Sequence, residues 1–216
     1  MRFIPSRMSC RQLLYVIRHG ERADHAYGHK WRQMHPTARS YDPPLTDEGK
    51  EQARELGVRL RNEGIAFVIS SPFLRCLQTA TNFSKAMGLE SIGIANGLSE
   101  VINDSCSIHE QPIVPSPTIE KEGVASLNDA GIVCPVPNYR ESFGEAFRRY
   151  ENAFVDLSNK HYPSTVALVS HGYAVQTAVR LTLPRSFGND VDYCAYVVLE
   201  RPSKDSPWML KSRFGV

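Results

Sequence analysis

The chain has 216 residues and 42% of them are hydrophobic, which is enough for the core of one large α/β domain. Lys and Arg total 25 against 23 for Asp and Glu, so the formal net charge is only +2. This balance argues against a nucleic-acid binder and against an acidic tail. Any anionic ligand must therefore meet arginines that the fold concentrates locally.

The apolar segments and the cysteines indicate the cellular setting. The run from Leu13 to Ile17 ends at Arg18 and is too short for a membrane span or a signal segment. The five cysteines are odd in number and scattered, with no Cys-x-x-Cys pair, which predicts reduced thiols rather than disulfides or a zinc site. We therefore expect a cytoplasmic protein with no membrane contact.

Buried apolar runs alternate with amphipathic segments after a lead-in over residues 1–11, which we interpret as flexible or strand-like. The runs predict strands over Leu13–Ile17, Ile65–Ile69, Ile92–Leu98, Val166–Val169, Val191–Glu200 and Trp208–Phe214. Helical periodicity lies between most of them. This alternation predicts a three-layer α/β/α sandwich with a mostly parallel central sheet.

Start signals mark the predicted helices. Thr46 is a suitable N-cap. Ser70-Ser71-Pro72 has the pattern of a cap followed by proline at the first helical position, for a helix expected from Phe73 to about Met87. Ser142 and Glu145 form the pattern of a capping box. The apolar faces of the helices after Thr46 and Ser142 are predicted to carry Ala53, Leu56, Gly57 and Leu60, and Phe143, Phe147, Tyr150, Phe154 and Leu157.

Residues 1–216 are interpreted as a single domain with one lid-like insertion. The insertion covers about residues 101–138, which contain five prolines and no sustained hydrophobic period. It is too long for a simple connector between two elements. We expect it to shape substrate choice.

Three predicted strand ends carry the residues that could do chemistry. They are Arg18-His19-Gly20, Ser71-Pro72-Phe73-Leu74-Arg75 and Ser170-His171-Gly172. In open α/β sheets ligands bind at the carboxyl ends of the strands, so the fold should bring these segments together. A histidine beside arginines at such an edge suits phosphoryl transfer, because the transferred group needs cationic donors around its oxygens.

The predicted roles follow from that chemistry. His19 is the candidate nucleophile, because a neutral imidazole nitrogen can attack phosphorus. Arg18, Arg22 and Arg75 are the candidate phosphate clamp, and His171 adds a donor that can stabilise the transition state. Glu100, just after the third strand, is the candidate proton donor to the leaving alcohol and the later base for water.

Each of these residues also has an ordinary interpretation. A single histidine after a strand is more often a capping or core residue, and only the convergence of the three segments argues otherwise. Arg22 could be a structural ion-pair partner. Glu21, Asp24 and Glu110 are loop carboxylates that could compete with Glu100 for the proton-donor role.

These motifs resemble the histidine phosphatase superfamily, also called the phosphoglycerate mutase-like family. The resemblance covers most of the chain, and its motifs are Leu14 to Gly20, Pro44 to Ala53, Ser70 to Ala80, and Val169 to Gly172. It implies an α/β fold and metal-independent, cofactor-free phosphatase chemistry through a phosphohistidine on His19.

Within that family the chain looks most similar to the phosphatase domains of ubiquitin-associated and SH3-domain proteins and to ecdysteroid-phosphate phosphatase. The similarity lies in Arg18 to Asp24, Asp42 to Thr46, Leu74 to Ala80, and Glu141 to Phe143. It implies a phosphate pocket of Arg18, Arg22, Arg75 and His171, with Glu100 as proton donor. Gly172 stands where the acid phosphatase branch has its aspartate donor. The chain departs from its relatives after Glu100, where Val101-Ile102-Asn103 replaces an aromatic residue.

Two other chemistries have weaker support in the sequence. Cys134 and Arg140 have the Cys-x5-Arg spacing of cysteine phosphatases, but Pro135 and Pro137 lack the N–H groups that such a loop needs. His25 and His29 have a spacing that could bind zinc on a helix, but no third ligand is apparent. We expect no metal site.

Alternatives within the family also stay open. A phosphoglycerate mutase resembles this chain at His19, but usually has serine or glutamine where Arg22 stands. A catalytically idle interaction protein could share the fold. The expected partner is a phosphorylated substrate, either a small phosphate ester or a phosphopeptide, and the resemblance also suggests a homodimer.

Overall fold

The computed structural model describes residues 11–36, 39, 41–102, 126–127, 137, 140–183 and 190–216. Its strands are β1 Gln12–Arg18, β2 Ile65–Ser70, β3 Ser91–Ile94, β4 Ser126–Leu127, β5 Thr165–Ser170, β6 Tyr196–Arg201 and β7 Met209–Phe214. Within these residues the strands form one sheet with the order β4-β3-β2-β5-β1-β6-β7. The pairs from β4 to β1 are parallel, whereas β6 and β7 are antiparallel. The predicted, mostly parallel sheet is confirmed.

Helices cover both faces of the sheet. They are α1 Ala23–Tyr27, α2 Trp31–Met34, α3 Asp47–Leu60, α4 Leu74–Met87, α5 Phe143–Lys160 and α6 Gly172–Thr182. Successive side chains of β1 point to opposite faces. Tyr15 and Ile17 join a core with α3 and α4, while Leu14 and Val16 join a core with α5 and α6. This division confirms the three-layer α/β/α sandwich.

The predicted caps of α3 and α5 are present, whereas Ser70-Ser71-Pro72 does not cap α4, whose N-cap residue is Phe73. Thr46 accepts a hydrogen bond from the Gly49 N–H at 2.9 Å, and Ser142 and Glu145 form the complete capping box of α5. Gly57 lies where α3 crosses α4, and a Cβ there would come within 2.4 Å of the Phe83 carbonyl oxygen. The buried face predicted for α3 is thus the face that packs against α4.

Two predicted helix details are wrong. α4 begins at Leu74, because Phe73 keeps an extended backbone, and the Leu74 N–H donates to the Asp42 carboxylate at 2.8 Å. A side chain distant in sequence therefore satisfies the start of this helix. In α5, Phe143 is 39% exposed because the first turn of the helix is exposed, and its ring is tilted against that of Tyr173 with centroids 5.1 Å apart.

Three strand predictions also need correction. The second strand is not buried throughout, because its register with β5 shifts near Phe67, whose side chain is exposed. The third strand ends at Ile94, and a 3-10 turn over Asn96–Leu98 follows. The strand predicted over Val191–Glu200 is β6, which begins at Tyr196 because the chain turns at Asp192 and Cys194 before it pairs with β1.

Parts of the sequence predictions fall outside the described residues. Residues 1–10 of the lead-in are among them, as are most of the insertion at 101–138, apart from 101–102, 126–127 and 137. Across the part of the chain that is described, no helix is both long enough and apolar enough to cross a membrane.

Candidate active site

The carboxyl ends of the central strands bring the predicted segments together. β1 and β5 are neighbours, with Arg18 opposite Ser170, so the two histidines that follow them are adjacent. The ring centroids of His19 and His171 are 5.5 Å apart. Beside them opens a cleft of about 540 Å³, lined by Arg18, His19, Arg22, Glu100, Gly172, Tyr173, Gln176, Asp190, Val191, Asp192 and Tyr193.

His19 is held in one tautomer. Its Nδ1 lies 2.8 Å from the Gly20 carbonyl oxygen, which can only accept, so Nδ1 carries the proton and Nε2 keeps its lone pair. The side chain is 2% exposed. Burial lowers the pKa of His19 well below its usual value, and the nearby charges of Arg75 and Arg18 add to that shift. The imidazole is therefore neutral at physiological pH, as a nucleophile requires.

The loop after His19 is fixed by helices α3 and α4. The Gly20 N–H donates to Thr79 Oγ1 at 3.0 Å, and the Glu21 N–H donates to Gln52 Oε1 at 3.0 Å. A Cβ on Gly20 would lie 2.4 Å from the Gly49 carbonyl oxygen, so only glycine permits this approach. The helix motifs around Gln52 and Thr79 thus hold the backbone of the candidate nucleophile.

Arg75, in the first turn of α4, contacts His171 and lies close to His19. It is fully buried, and its guanidinium lies 4.6 Å from the centre of the Phe73 ring. Its Nη1 is 3.6 Å from Asp42 Oδ1, and its Nη2 is 3.2 Å from His171 Nδ1. Nε of Arg75 has no hydrogen-bond partner among the described residues. A buried, incompletely paired guanidinium is well suited to binding an anion.

Arg18 lines the cleft beside His19. It donates to the Val191 carbonyl oxygen, and its guanidinium carbon lies 4.5 Å from the centre of the Tyr193 ring. Its Nε is buried and, like that of Arg75, lacks a hydrogen-bond partner in the described part of the chain. Burial lowers the pKa of Arg18, against the opposing influence of Tyr193 and Glu100. Two guanidinium groups with open donors therefore lie near His19, but only that of Arg18 lines the cleft, because Arg75 is fully buried.

His171 and Glu100 form a directly contacting pair. Nδ1 of His171 is 3.2 Å from Glu100 Oε2, and its Nε2 is 2.9 Å from Ser71 Oγ. Burial lowers the pKa of His171 to about 4, although Glu100 beside it acts in the opposite direction. Burial alone would raise the pKa of Glu100, but His171 and Arg75 outweigh it and bring that pKa to about 2. In the free site Glu100 is thus a carboxylate at the edge of the cleft.

Arg22 is bound to a neighbouring carboxylate. It lines the cleft, but both arms of its guanidinium bond the Asp24 carboxylate, at 2.9 and 2.7 Å. Arg22 therefore forms the ion pair that the sequence analysis gave as the alternative to phosphate binding. Its position at the cleft still allows contact with a substrate.

Two of the three competing carboxylates are engaged in other contacts. Glu21 accepts a hydrogen bond from Thr46, and Asp24 binds Arg22. Glu110 and Cys134 lie outside the described residues. His25 Nδ1 is 2.7 Å from the Tyr193 hydroxyl. Over the described ranges, no three His, Cys, Asp or Glu side chains are grouped so as to hold a metal ion.

Sequence reasoning missed the loop before β6. Val191 and Tyr193 contact Arg18 from this loop, and Asp190 and Asp192 line the cleft. The residues look like the start of a strand in sequence, so no local signal places them at a site. Only the antiparallel return of β6 beside β1 brings them to His19.

Comparisons with known proteins show which family the chain belongs to. Residues 14–211 match the histidine phosphatase superfamily (branch 1). The chain belongs to this superfamily. It is 31% identical over 175 residues to the probable phosphoglycerate mutase GpmB of Enterobacter sp. (strain 638), an alignment that covers 79% of this chain and 74% of that protein. The expected family is confirmed.

Solved structures of other proteins share the fold. Ecdysone phosphate phosphatase from Bombix mori, solved with tungstate, aligns with a TM-score of 0.68 at 24% identity and covers 93% of this chain and 92% of that one. Phosphoserine phosphatase from Entamoeba histolytica aligns with a TM-score of 0.60 at 19% identity, over 95% and 98% of the two chains. The predicted similarity to ecdysteroid-phosphate phosphatase is confirmed at the level of the fold.

Proposed function

We propose that this member of the superfamily hydrolyses phosphate monoesters through a phosphohistidine on Nε2 of His19. The observation that carries the proposal is the state of His19. Its Nδ1 is tied to the Gly20 carbonyl, its pKa is lowered, and its ring lies among Arg18, Arg75 and His171. A neutral nucleophile surrounded by cationic donors favours attack on a phosphoryl group.

In the first step, Nε2 of His19 attacks phosphorus and the bond to the ester oxygen breaks. Glu100 gives its proton to that oxygen, so the leaving group departs as an alcohol. The free site holds Glu100 as a carboxylate. A phosphate dianion bound between Arg18 and Arg75 offsets their charge and raises the pKa of Glu100, which favours the protonated form.

In the second step, water attacks the phosphohistidine and the phosphorus–nitrogen bond breaks. Glu100, now a carboxylate, takes a proton from that water, and inorganic phosphate leaves. His19 Nε2 recovers its lone pair. The substrate is proposed to be a small phosphate ester or a phosphopeptide, with Arg22 as an outer contact that must first loosen from Asp24.

Turnover of p-nitrophenyl phosphate tests the proposal. We expect wild type to release p-nitrophenol and His19→Ala to lose this activity. His29 is exposed and lies outside the cleft lining, so His29→Ala is the matched control and should remain active. Equal inertness of wild type and His19→Ala between about pH 5 and 8 would support an idle interaction protein instead.

A mutase is the second candidate, because a relative 31% identical to this chain is named a probable phosphoglycerate mutase. A mutase must return the phosphoryl group to the bound sugar acid, whereas a phosphatase passes it to water. Incubation with 3-phosphoglycerate separates the two reactions. We expect phosphate release to exceed formation of 2-phosphoglycerate, and the reverse ratio would favour the mutase.

A further inference from the structure

The side chain of Tyr193 lies between the candidate phosphate clamp and helix α1. Its ring faces the Arg18 guanidinium at 4.5 Å and lies 6.0 Å from the His19 ring, measured between centroids. Its hydroxyl is 2.7 Å from His25 Nδ1. The side chain lines the cleft, but none of the proposed chemical steps uses it.

Arg18 needs such support because few contacts fix its orientation. Its hydrogen bond to the Val191 carbonyl fixes one nitrogen of the guanidinium, and its Nε has no hydrogen-bond partner among the residues described. A long side chain held at a single point keeps much of its rotamer freedom. The Tyr193 face provides the second restraint, because an aromatic ring attracts a cation stacked over it and fixes the plane of the guanidinium.

The same loop supplies both restraints. Val191 and Tyr193 are two residues apart, and the loop is itself anchored where the Cys194 N–H donates to the His19 carbonyl oxygen at 3.2 Å. The backbone of the candidate nucleophile and the plane of Arg18 are therefore set by one segment. A phosphoryl group that bonds both residues depends on their relative position.

We propose that Tyr193 is a positioning residue that holds the Arg18 guanidinium in the plane required to bind the phosphoryl oxygens. An effect of Tyr193 on catalysis depends on the proposed function. The effect on oxyanion binding, however, can be measured without turnover. The ring carries this role, and the hydroxyl contact with the exposed His25 contributes little.

Binding of tungstate, an inorganic oxyanion, tests the inference directly. The dissociation constant is obtained from the rise in Tm with tungstate concentration. We expect Tyr193→Leu to weaken binding about ten-fold, and Tyr193→Phe, which keeps the ring, to stay within about two-fold of wild type. The Tm of each variant without tungstate reports any loss of folding.

A double-mutant cycle with Arg18→Ala separates a positioning role from a structural one. If Tyr193 acts through Arg18, then adding Tyr193→Leu to Arg18→Ala should cause no further loss of tungstate affinity. A full ten-fold loss of tungstate affinity when Tyr193→Leu is added to Arg18→Ala would overturn the inference. Unchanged tungstate affinity in Tyr193→Leu alone would also overturn it. The double-mutant cycle could give the expected tungstate affinities while wild type fails to hydrolyse p-nitrophenyl phosphate. That result would contradict the proposed function and leave the positioning role of Tyr193 supported.

Discussion

At the scale of single residues, the site combines two neutral imidazoles with buried guanidinium groups. Burial lowers the pKa of both His19 and His171, and nearby arginines add to the shift. The carboxylate of Glu100 contacts one of these imidazoles and partly balances the positive charge. The free site thus keeps a net attraction for an anion while its proposed nucleophile is uncharged.

The proposed role of Glu100 predicts a dependence on the leaving group. In Glu100→Gln, we expect kcat/KM for an alkyl phosphate to fall about 100- to 1,000-fold, because an alkoxide cannot leave without a proton. For p-nitrophenyl phosphate, whose leaving group is stable as an anion, kcat/KM should change much less. Stopped-flow kinetics should show a burst of p-nitrophenol, because loss of the base slows the second step. An equal fall for both esters would contradict this role.

At the scale of elements, the caps of α3 and α5 provide a matched comparison. Thr46 caps α3 and also donates to Glu21 Oε2 at 2.8 Å, so it connects the helix to the loop after His19. Ser142 caps α5 on the exposed surface. Both elements thus begin with the same chemistry, but only one of the two caps contacts the site.

Thr46→Ala and Ser142→Ala should each lower the free energy of unfolding by about 1 kcal/mol, because each leaves helix N–H groups without their acceptor. Urea denaturation measures this loss. Only Thr46→Ala should also lower kcat/KM, because Glu21 loses a contact that fixes the loop. If Ser142→Ala reduced activity as much, the connection through Glu21 would be wrong.

The sequence predicts these elements well where hydrophobic periodicity dominates. The apolar runs around Val16 and Leu168 predict β1 and β5 because both faces of these strands are buried. The sequence predicts the backbone poorly where contacts between distant residues determine it. α4 starts at Leu74 because Asp42, distant in sequence, accepts its N–H, and the loop at Tyr193 bends to meet Arg18. Neither contact leaves a local pattern.

At the scale of the whole molecule, the parallel order of the central strands explains why the site residues could be predicted at all. Each of the histidines follows a strand, and neighbouring parallel strands end at the same edge of the sheet. The distances and the protonation states could not be predicted in this way, because they depend on burial and on side-chain contacts. The ion pair between Arg22 and Asp24 is one such detail.

Burial of the neutral His171 also predicts how stability depends on pH. Its pKa is about 4 in the folded protein against an ordinary value of 6.5, so between these values the unfolded chain binds more protons. Stability should therefore fall as the pH is lowered through this window. Between pH 7 and 4.5, the free energy of unfolding of His171→Asn should fall by about 2 kcal/mol less than that of wild type. Urea denaturation at the two pH values measures this difference.

The exposed residue His29 serves as the control for this comparison. His29→Asn should follow the wild-type dependence on pH. An identical acid dependence in wild type and His171→Asn would show that His171 is not held neutral by the fold.

The proposed mechanism requires that Nε2 of His19 carries the phosphoryl group during turnover. The most direct measurement is a rapid alkaline quench of enzyme and substrate, followed by mass spectrometry of the peptide that contains His19. We predict a phosphoryl group on His19 that is lost in acid and absent from His19→Ala. Steady hydrolysis with no phosphorylated His19, together with retained activity in His19→Ala, would contradict the account.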